Sequence, residues 1–578
     1  MTVTMSKDAP LAESILHMQA RLQAHGFDVE EYDWQNPVPH VWSVRMRDRL
    51  FPVLDVQGKG TSMQAAQASA LGELFERLSS DNFFNGLFYG EEIAASDFVH
   101  HPSERWFALE KSGLPQGLLD EPTQSHYNLD GELSAKMLVD ASSGNRSRGI
   151  CALPFTRQQN QQTVWIPVNI IDNLYTINGL AAGNSVYEAR VQALSGIFER
   201  HIKTTILTAG ISLPHIPASV VEGYREVADT LQLLRDEGFV VYVMDASLAG
   251  KFPLVCITLL DPNTGGCIAA FGAHPKFGIA LQRAMVELLH KRSLDALRSL
   301  SPPTFNLREV AEPDNLQHHL RDSSGVVSWE LFSSKSDYEY TAWNIEGDTQ
   351  AEFERLCHLI HRVDMDIYIA DYDHLGVYCC RVIVPGMADM FPVDRLVHDN
   401  NNKGIELRDF VMRMPMLSNH ERQVFTQQLT RLDVDEQASL PEMCGILAEP
   451  ANGLAGVTVA EVKALLYLTQ GDISSAVESV SRVLETDGLP AKKAALYRCL
   501  HALGSALIST HVVADNYRKV LVDIYGDARV KRCEAMLAGR QLFDDFIEIK
   551  PDFSNSPQHA KTIDLYRRLQ LAKQNSTS

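Results

Sequence analysis

Residues Leu180–Lys203 read LAAGNSVYEARVQALSGIFERHIK, a glycine-led turn that enters a long amphipathic helix. At i, i+3 and i+4 spacings, Asn184, Glu188, Gln192, Ser195 and Glu199 share one face. Tyr187, Val191, Leu194 and Phe198 repeat at the same spacing on an adjoining face and supply an apolar stripe. One face therefore packs, while its neighbour presents carboxylates and amides. Taken alone, such a face is either solvated or a cation site.

The pattern recurs elsewhere in the chain. Ala70–Arg77 (ALGELFER) and Ala193–Arg200 (ALSGIFER) share the frame A-L-x-x-[LI]-F-E-R. In the first copy Leu71, Leu74, Phe75 and Leu78 form the apolar side, with Ser69, Glu73, Glu76 and Arg77 opposite. A third segment, Phe277 to Arg292, sets Leu281, Met285 and Leu288 against Arg283, Glu287 and His290. Repetition of a Glu/Arg face on three helices favours a shared function over three unrelated solvent faces.

With 578 residues the chain is long enough for two to four domains. Its formal net charge of −21, with no basic run to offset it, argues against a general nucleic-acid or anionic-membrane binder. Any polyanion must be met by local arginines or by metal ions. Nine cysteines in a chain of this size make no disulfide framework, and no Cys/His cluster has zinc spacing. The N-terminal MTVTMSKDAPLAES has no apolar core of a signal peptide, and no later stretch is apolar enough to span a bilayer. These features lead us to expect a reducing cytoplasm.

In chain order, Pro10 to Gly26 has helical periodicity in Leu11, Ile15, Met18 and Leu22, with Lys7 and Ser14 flanking its start. HVWSVRMRD and LFPVLDVQG alternate as strands do and lead through Gly58-Lys59-Gly60-Thr61-Ser62 into the first Glu-bearing helix. GKGTS lacks the spacing of a Walker A loop. Phe88 to Gln161 reads as short strands and loops. TVWIPVNIID reads as a strand, Pro217 to Gly238 as a helix, and FVVYVMDAS, PLVCITLLD, CIAAFGAH and VYCCRVIV as strands. The fold class is therefore α+β, with strand, turn and acidic helix three times over. Beyond about Met412 the strands vanish, and from Asn419 the chain is helical by periodicity. VKALLYLTQGDISSAVESVSRVLE has the small-residue and Gly-Asp placement of a tetratricopeptide (TPR) helix pair. We expect two domains, residues 1–412 and 413–578, and a homodimer formed through the helical tail.

Glu73, Glu76, Glu188, Glu199 and Glu287 would repel one another if gathered around one cavity. Divalent cations resolve such a cluster, and Mg²⁺ is typically held by a few carboxylates plus substrate phosphates. Arg77, Arg200 and Arg283, with Lys59 and Lys7, supply phosphate-facing charge, and the helix starts near Asn184 and Ser62 offer backbone N–H groups. The alternatives at this point are ordinary ones: solvent faces with intrahelical ion pairs, turn glycines at Gly58 and Gly183, a packed His290, and Asn184 as a helix cap.

Ser69–Arg77 (SALGELFER), Ala182–Arg200 (AGNSVYEARVQALSGIFER) and Ala280–Leu288 (ALQRAMVEL) resemble the signature helices of the YcaO superfamily. The likeness extends to NPVPHVWSV near the start, VPGMADMFPVD near Arg395, and the helical tail of stand-alone members. The resemblance implies a YcaO-type ATP-binding fold in which glutamates rather than a P-loop carry Mg²⁺. Glu73, Glu76, Glu188, Glu199 and Glu287 would be its metal ligands. Asn184, Arg200 and Arg283 would contact phosphates, and Lys7 and Ser14 the other end of ATP, with Ser69 in the same nucleotide set. Gln192 and Ser195 join from the helix face, and Glu76, Glu199, Arg200 and Arg283 would act on the reacting groups.

In that family ATP activates a backbone amide by phosphorylating its oxygen after a nucleophile adds. Azoline-forming members share a proline-rich C-terminus, whereas this chain ends QLAKQNSTS, so the likeness does not imply azoline formation. The likeness to stand-alone members implies instead a role beside a RimO-like radical methylthiotransferase, in β-methylthiolation of an aspartate of a small-subunit ribosomal protein. Two other functions remain in view: a non-catalytic ATP-binding adaptor working through the tail, and an ATP-dependent carboxylate–amine ligase.

Overall fold

The computed structural model describes residues 6–51, 53–290, 292–398, 401–432, 434–509 and 514–576. Twelve strands form three sheets among these residues. The first is an antiparallel β1-β2-β3 meander of Val29–Val38, Val41–Asp48 and Asp55–Gly60. The large sheet is built from β4 (Arg105–Phe107), β5 (Ile150–Arg157), β6 (Gln162–Pro167), β7 (Leu180–Gly183), β11 (Tyr368–Tyr372) and β12 (Tyr378–Ile383). Its order is β4-β5-β11-β12-β7, with β6 paired to β5. The third sheet, in order β10-β9-β8, comprises β8 (Val240–Asp245), β9 (Leu254–Leu260) and β10 (Cys267–Ala273).

Four helices bear on the site: α1 (Leu11–Ala24), α2 (Met63–Ser79), α3 (Val186–Ala209) and α4 (Phe277–Leu288). Each of the last three follows a strand directly: β3 leads to α2, β7 to α3 and β10 to α4. Helix α2 packs on β3 and β7, α3 on β7, β12 and β10, and α4 on β10 and β9. Helix starts are fixed locally, with the Ser62 hydroxyl accepting from the Ala65 N–H and the Ser185 hydroxyl from the Glu188 N–H. The cap of α3 is thus Ser185, and Asn184 is free to use its side chain elsewhere. Helix α4 ends at Leu288, so His290 lies in the turn beyond it, and Lys291 lies outside the described residues.

Several boundaries differ from the sequence reading. LFPVLDVQG enters its strand only at Asp55, and Pro52 lies outside the described residues. Val29–Val38, unassigned from sequence, forms a strand paired with β2, and its bulges between Tyr32 and Val38 blur the alternation that would mark it. TVWIPVNIID breaks at Pro167, after which Val168–Tyr175 is helical. All nine cysteines are free and buried. Among the described residues no helix is long and apolar enough to cross a membrane.

The C-terminal region is helical. Val459–Thr469 and Ile473–Leu484 form a packed pair, turning at Gly471 and Asp472. The last helix, Pro557–Ser576, returns to the N-terminal body. There the Tyr566 ring stacks on Tyr89 at 4.0 Å and meets Phe84 edge-on at 5.1 Å. His559 Nε2 lies 2.9 Å from the Phe88 carbonyl oxygen. The Lys573 ammonium, 2% exposed, pairs with Asp81 and donates to the His100 carbonyl at 2.8 Å. One hydrophobic cluster accordingly runs from Leu22 and Leu74 through Phe198 and Val382 to Leu466 and Tyr566.

Removing one member of a buried ion pair strands the other charge, at a cost of about 3–5 kcal/mol. Lys573→Met is expected to lower unfolding stability by that amount in guanidinium titrations. Adding Asp81→Asn should restore a large part of the loss, because the stranded carboxylate is then gone.

Candidate functional site

A cavity of about 1030 Å³ opens among α1, β3, α2, the β7–α3 turn, α3 and α4. Its walls include Glu73, Glu76, Glu188, Glu199 and Glu287. The cationic and amide candidates Lys7, Asn184, Gln192, Arg200 and Arg283 line it too, as do Ser14 and Ser69. Ser195 does not: its hydroxyl is fully buried and donates to the Val191 carbonyl at 2.7 Å. The short side chain closes back on its own helix, as serine does in mid-helix.

The chain's own donors hold most of the carboxylates. Glu188, 4% exposed, accepts from Lys7 Nζ at 2.9 Å, from the Asp8 N–H at 2.8 Å and from Asn184 Nδ2 at 2.9 Å. Asn184 Oδ1 in turn accepts from the Ser14 hydroxyl at 2.7 Å, which ties α1 to the start of α3. Glu73 pairs with Arg77 one turn along α2, and Glu287 with Lys59 of β3. Glu76 Oε1 accepts from the Ala182 N–H at 2.9 Å.

The arginines are braced by neutral groups. Arg200 Nη1 donates to Asn178 Oδ1 at 2.7 Å. Arg283 donates to the Ala273 carbonyl at 2.9 Å and to Gln192 Oε1. Gln192 thus orients Arg283 from the neighbouring helix. Burial lowers the pKa of both guanidiniums below the usual arginine range.

Neutralisation across the cluster is uneven. Burial pushes the Glu76 carboxyl up to about 7, with the charge of Glu73 adding to it. Burial also raises Glu199, reinforced by Glu287. Burial would raise Glu287 too, but Lys59, His290 and Lys203 bring it down to about 2.

Among the described residues no three carboxylates or other ligating side chains converge closely enough to hold a metal ion as they stand. The donor set is nonetheless of the hard-oxygen kind that suits Mg²⁺. The raised carboxyls of Glu76 and Glu199 mark a site short of positive charge.

Several cavity residues were not legible in the sequence. Lys203, one turn beyond Glu199, is 5% exposed and donates to the His319 carbonyl at 2.6 Å and to Ser323 Oγ at 2.9 Å. It holds the segment whose Leu320 and Arg321 close one end of the cavity. Gly376, Val377 and Tyr378, at the turn into β12, also line the cavity.

Comparison with known proteins matches residues 57–388 to the family described as YcaO cyclodehydratase, ATP- and Mg²⁺-binding. Residues 404–575 match its C-terminal domain. The chain is 42% identical over 578 residues to the Escherichia coli ribosomal protein S12 methylthiotransferase accessory factor YcaO, covering 99% of this chain and 98% of that one. An uncharacterised protein of Haemophilus influenzae is 41% identical over 579 residues, again covering 99% of this chain and 98% of that one. Among solved structures, YcaO from Methanopyrus kandleri bound with AMPPCP and Mg²⁺ is similar at 17% identity and a TM-score of 0.41, over 66% of this chain and 92% of that one. A heterocyclase in complex with substrate and cofactor is similar at 16% identity and a TM-score of 0.45, over 69% of this chain and 55% of that one.

With its carboxyl at about 7 rather than the ordinary 4.5, Glu76 makes the folded chain hold more protons than the unfolded chain between those values. Its contribution to stability is present at low pH and is lost as pH rises through that window. In the absence of nucleotide, the melting temperature should fall between about pH 4.5 and about pH 7, and Glu76→Gln should flatten part of the fall. Scanning fluorimetry across that range checks it.

Proposed function

The chain belongs to the YcaO family, and from that premise we propose that it binds Mg–ATP in the glutamate-lined cavity and uses it to activate a backbone amide by phosphorylating the amide oxygen. The observation that carries this reading is the meeting of five glutamates and two half-buried arginines, from three strand–helix units, around one cavity. In the proposed assignment Glu73, Glu76, Glu188, Glu199 and Glu287 hold the metal ions. Asn184, Arg200 and Arg283 grip the phosphates, and Lys7, Ser14, Ser69 and Gln192 complete the nucleotide site. Bound Mg²⁺ would supply positive charge against the triphosphate oxygens.

The chain's own groups perform the remaining tasks. Arg200 and Arg283, braced by Asn178 and by Gln192 with the Ala273 carbonyl, present planar donor forks at fixed positions, so little ordering is left to be done as charge shifts during transfer. An incoming nucleophile's lone pair forms a bond to the amide carbon, and the carbonyl π electrons move onto oxygen. The nucleophile gives up its proton to solvent, and the oxygen takes the γ-phosphoryl group as its bond to ADP breaks. The amide nitrogen then loses its proton, and its electron pair forms a C=N bond as the C–O bond breaks and phosphate leaves. A side-chain nucleophile is not required.

We assign residues 1–412 to the nucleotide domain and 413–578 to a TPR-like helical domain that binds a partner or a second copy of the chain. The E. coli relative's name as an accessory factor of a ribosomal protein S12 methylthiotransferase supports a role for this chain in or beside RimO-dependent β-methylthiolation of a ribosomal-protein aspartate. The same name favours, as the second reading, an adaptor that keeps the nucleotide site as a structural element.

Glu199→Gln decides between them. Calorimetry with AMPPCP should show Mg²⁺-dependent binding in the wild type, weakened by at least roughly a hundredfold in the variant. ATP turnover should be lost while the melting temperature stays within a few degrees. A variant that binds nucleotide normally but melts early would favour the adaptor.

A further inference from the structure

We infer that Lys59 is a built-in counter-cation of the carboxylate cluster: it holds Glu287 until nucleotide and metal arrive together, and so keeps the cavity from taking the free metal ion. The inference rests on the Mg–ATP reading of the same cavity.

Its basis is the seating of β3. Side chains alternate along a strand, so Gly58 and Gly60 face one way and Gln57 and Lys59 the other. The glycine side lies directly on α2. A Cβ at Gly58 would stand 2.0 Å from the Ala66 carbonyl oxygen, and one at Gly60 would stand 2.5 Å from Ala65 Cβ. No other residue fits at either place without moving the helix. The strand is therefore pinned, and its opposite side, Gln57 and Lys59, lines the cavity.

From this fixed root the Lys59 ammonium reaches Glu287 of α4. The charges of Glu199 on α3 and Glu73 on α2 act on it as well. One flexible cation is thus paired with a carboxylate of α4 and lies in the field of carboxylates on α2 and α3. The side chain is 40% exposed, so it has room to swing. The Arg77 fork, by contrast, is paired with Glu73 within its own helix.

A divalent ion at Glu287 would stand within a few ångströms of the ammonium and repel it. Free metal must evict Lys59 and break its ion pair with Glu287, with no new acceptor supplied in exchange. Metal carried in by a triphosphate also evicts it, but phosphate oxygens then accept the ammonium. The arrangement makes metal and nucleotide binding mutually reinforcing, and Lys59 is the residue through which they are coupled.

The test uses Mn²⁺ as the probe, read by its electron paramagnetic resonance signal during titration of the full chain. Lys59→Met should bind Mn²⁺ alone more tightly than the wild type, by roughly tenfold or more, as an adjacent opposite charge shifts proton affinity by one to three decades. The same variant should bind Mn²⁺–AMPPCP more weakly than the wild type. Lys59→Arg should behave as the wild type toward Mn²⁺ alone, and the gain in Lys59→Met should vanish when Glu287→Gln is added. Unchanged or weaker binding of Mn²⁺ alone in Lys59→Met overturns the inference, as does a gain that survives Glu287→Gln. If Lys59→Met does not fold, Lys59→Gln takes its place with the same criteria. A wild type that binds no Mn²⁺–AMPPCP would refute the nucleotide reading, and the comparison with Mn²⁺ alone would still decide the role of Lys59.

Discussion

Like charges drawn into one partly desolvated space repel, and the carboxylates of this cavity impose that constraint on everything around them. The fold meets it with cations of its own. Lys7 serves Glu188, Arg77 serves Glu73 and Lys59 serves Glu287. Glu76 has a backbone N–H, and Glu199 has the fields of Lys59, Lys203 and Arg283. The supply is uneven: Glu287 sits at about 2 while Glu76 sits at about 7. The cluster is thus compensated more fully at Glu287 than at Glu76, and its charge is left incompletely balanced.

Bringing these groups together depends on an architectural repeat. Each acidic helix starts where a strand stops, so its first turns are anchored at a sheet end and its polar face is aimed by the packing of its apolar face. Asn184 shows how local chemistry serves this arrangement. Because Ser185 takes the cap, the asparagine side chain can bridge Ser14 of α1 and Glu188 of α3. The α1 helix, far away in sequence, becomes a wall of the cavity through that bridge.

Helix faces were legible in the sequence because the helical period is short and each copy carries its own Glu/Arg pattern. Glu73, Glu76, Glu188, Glu199, Arg283 and Glu287 all reach the cavity from faces that periodicity alone defines. The same periodicity misplaced Ser195, since a shared face does not reveal that a serine hydroxyl will bond to the carbonyl four residues back. Lys203 and Arg321 were invisible for a different reason. Their place depends on the path of the 319–323 segment, which tertiary packing sets. Strand β1 escaped because its bulges and acidic residues break the two-residue alternation by which strands are recognised.

The helical tail read as separate in composition, yet its last helix is built into the body. Lys573 reaches Asp81, two residues past the end of α2, and Tyr566 stacks on Tyr89 shortly after it. Helix α2 is the element that presents Glu73 and Glu76 to the cavity. Its N-terminal half is held by close packing on the glycines of β3, and the residues beyond its C-terminus are held by the tail. Withdrawal of the last helix would strand a buried carboxylate and expose the Tyr89 ring. Seating of the tail and the setting of the α2 wall are thus secured by the same contacts, which ties the C-terminal region physically to the glutamate-lined cavity.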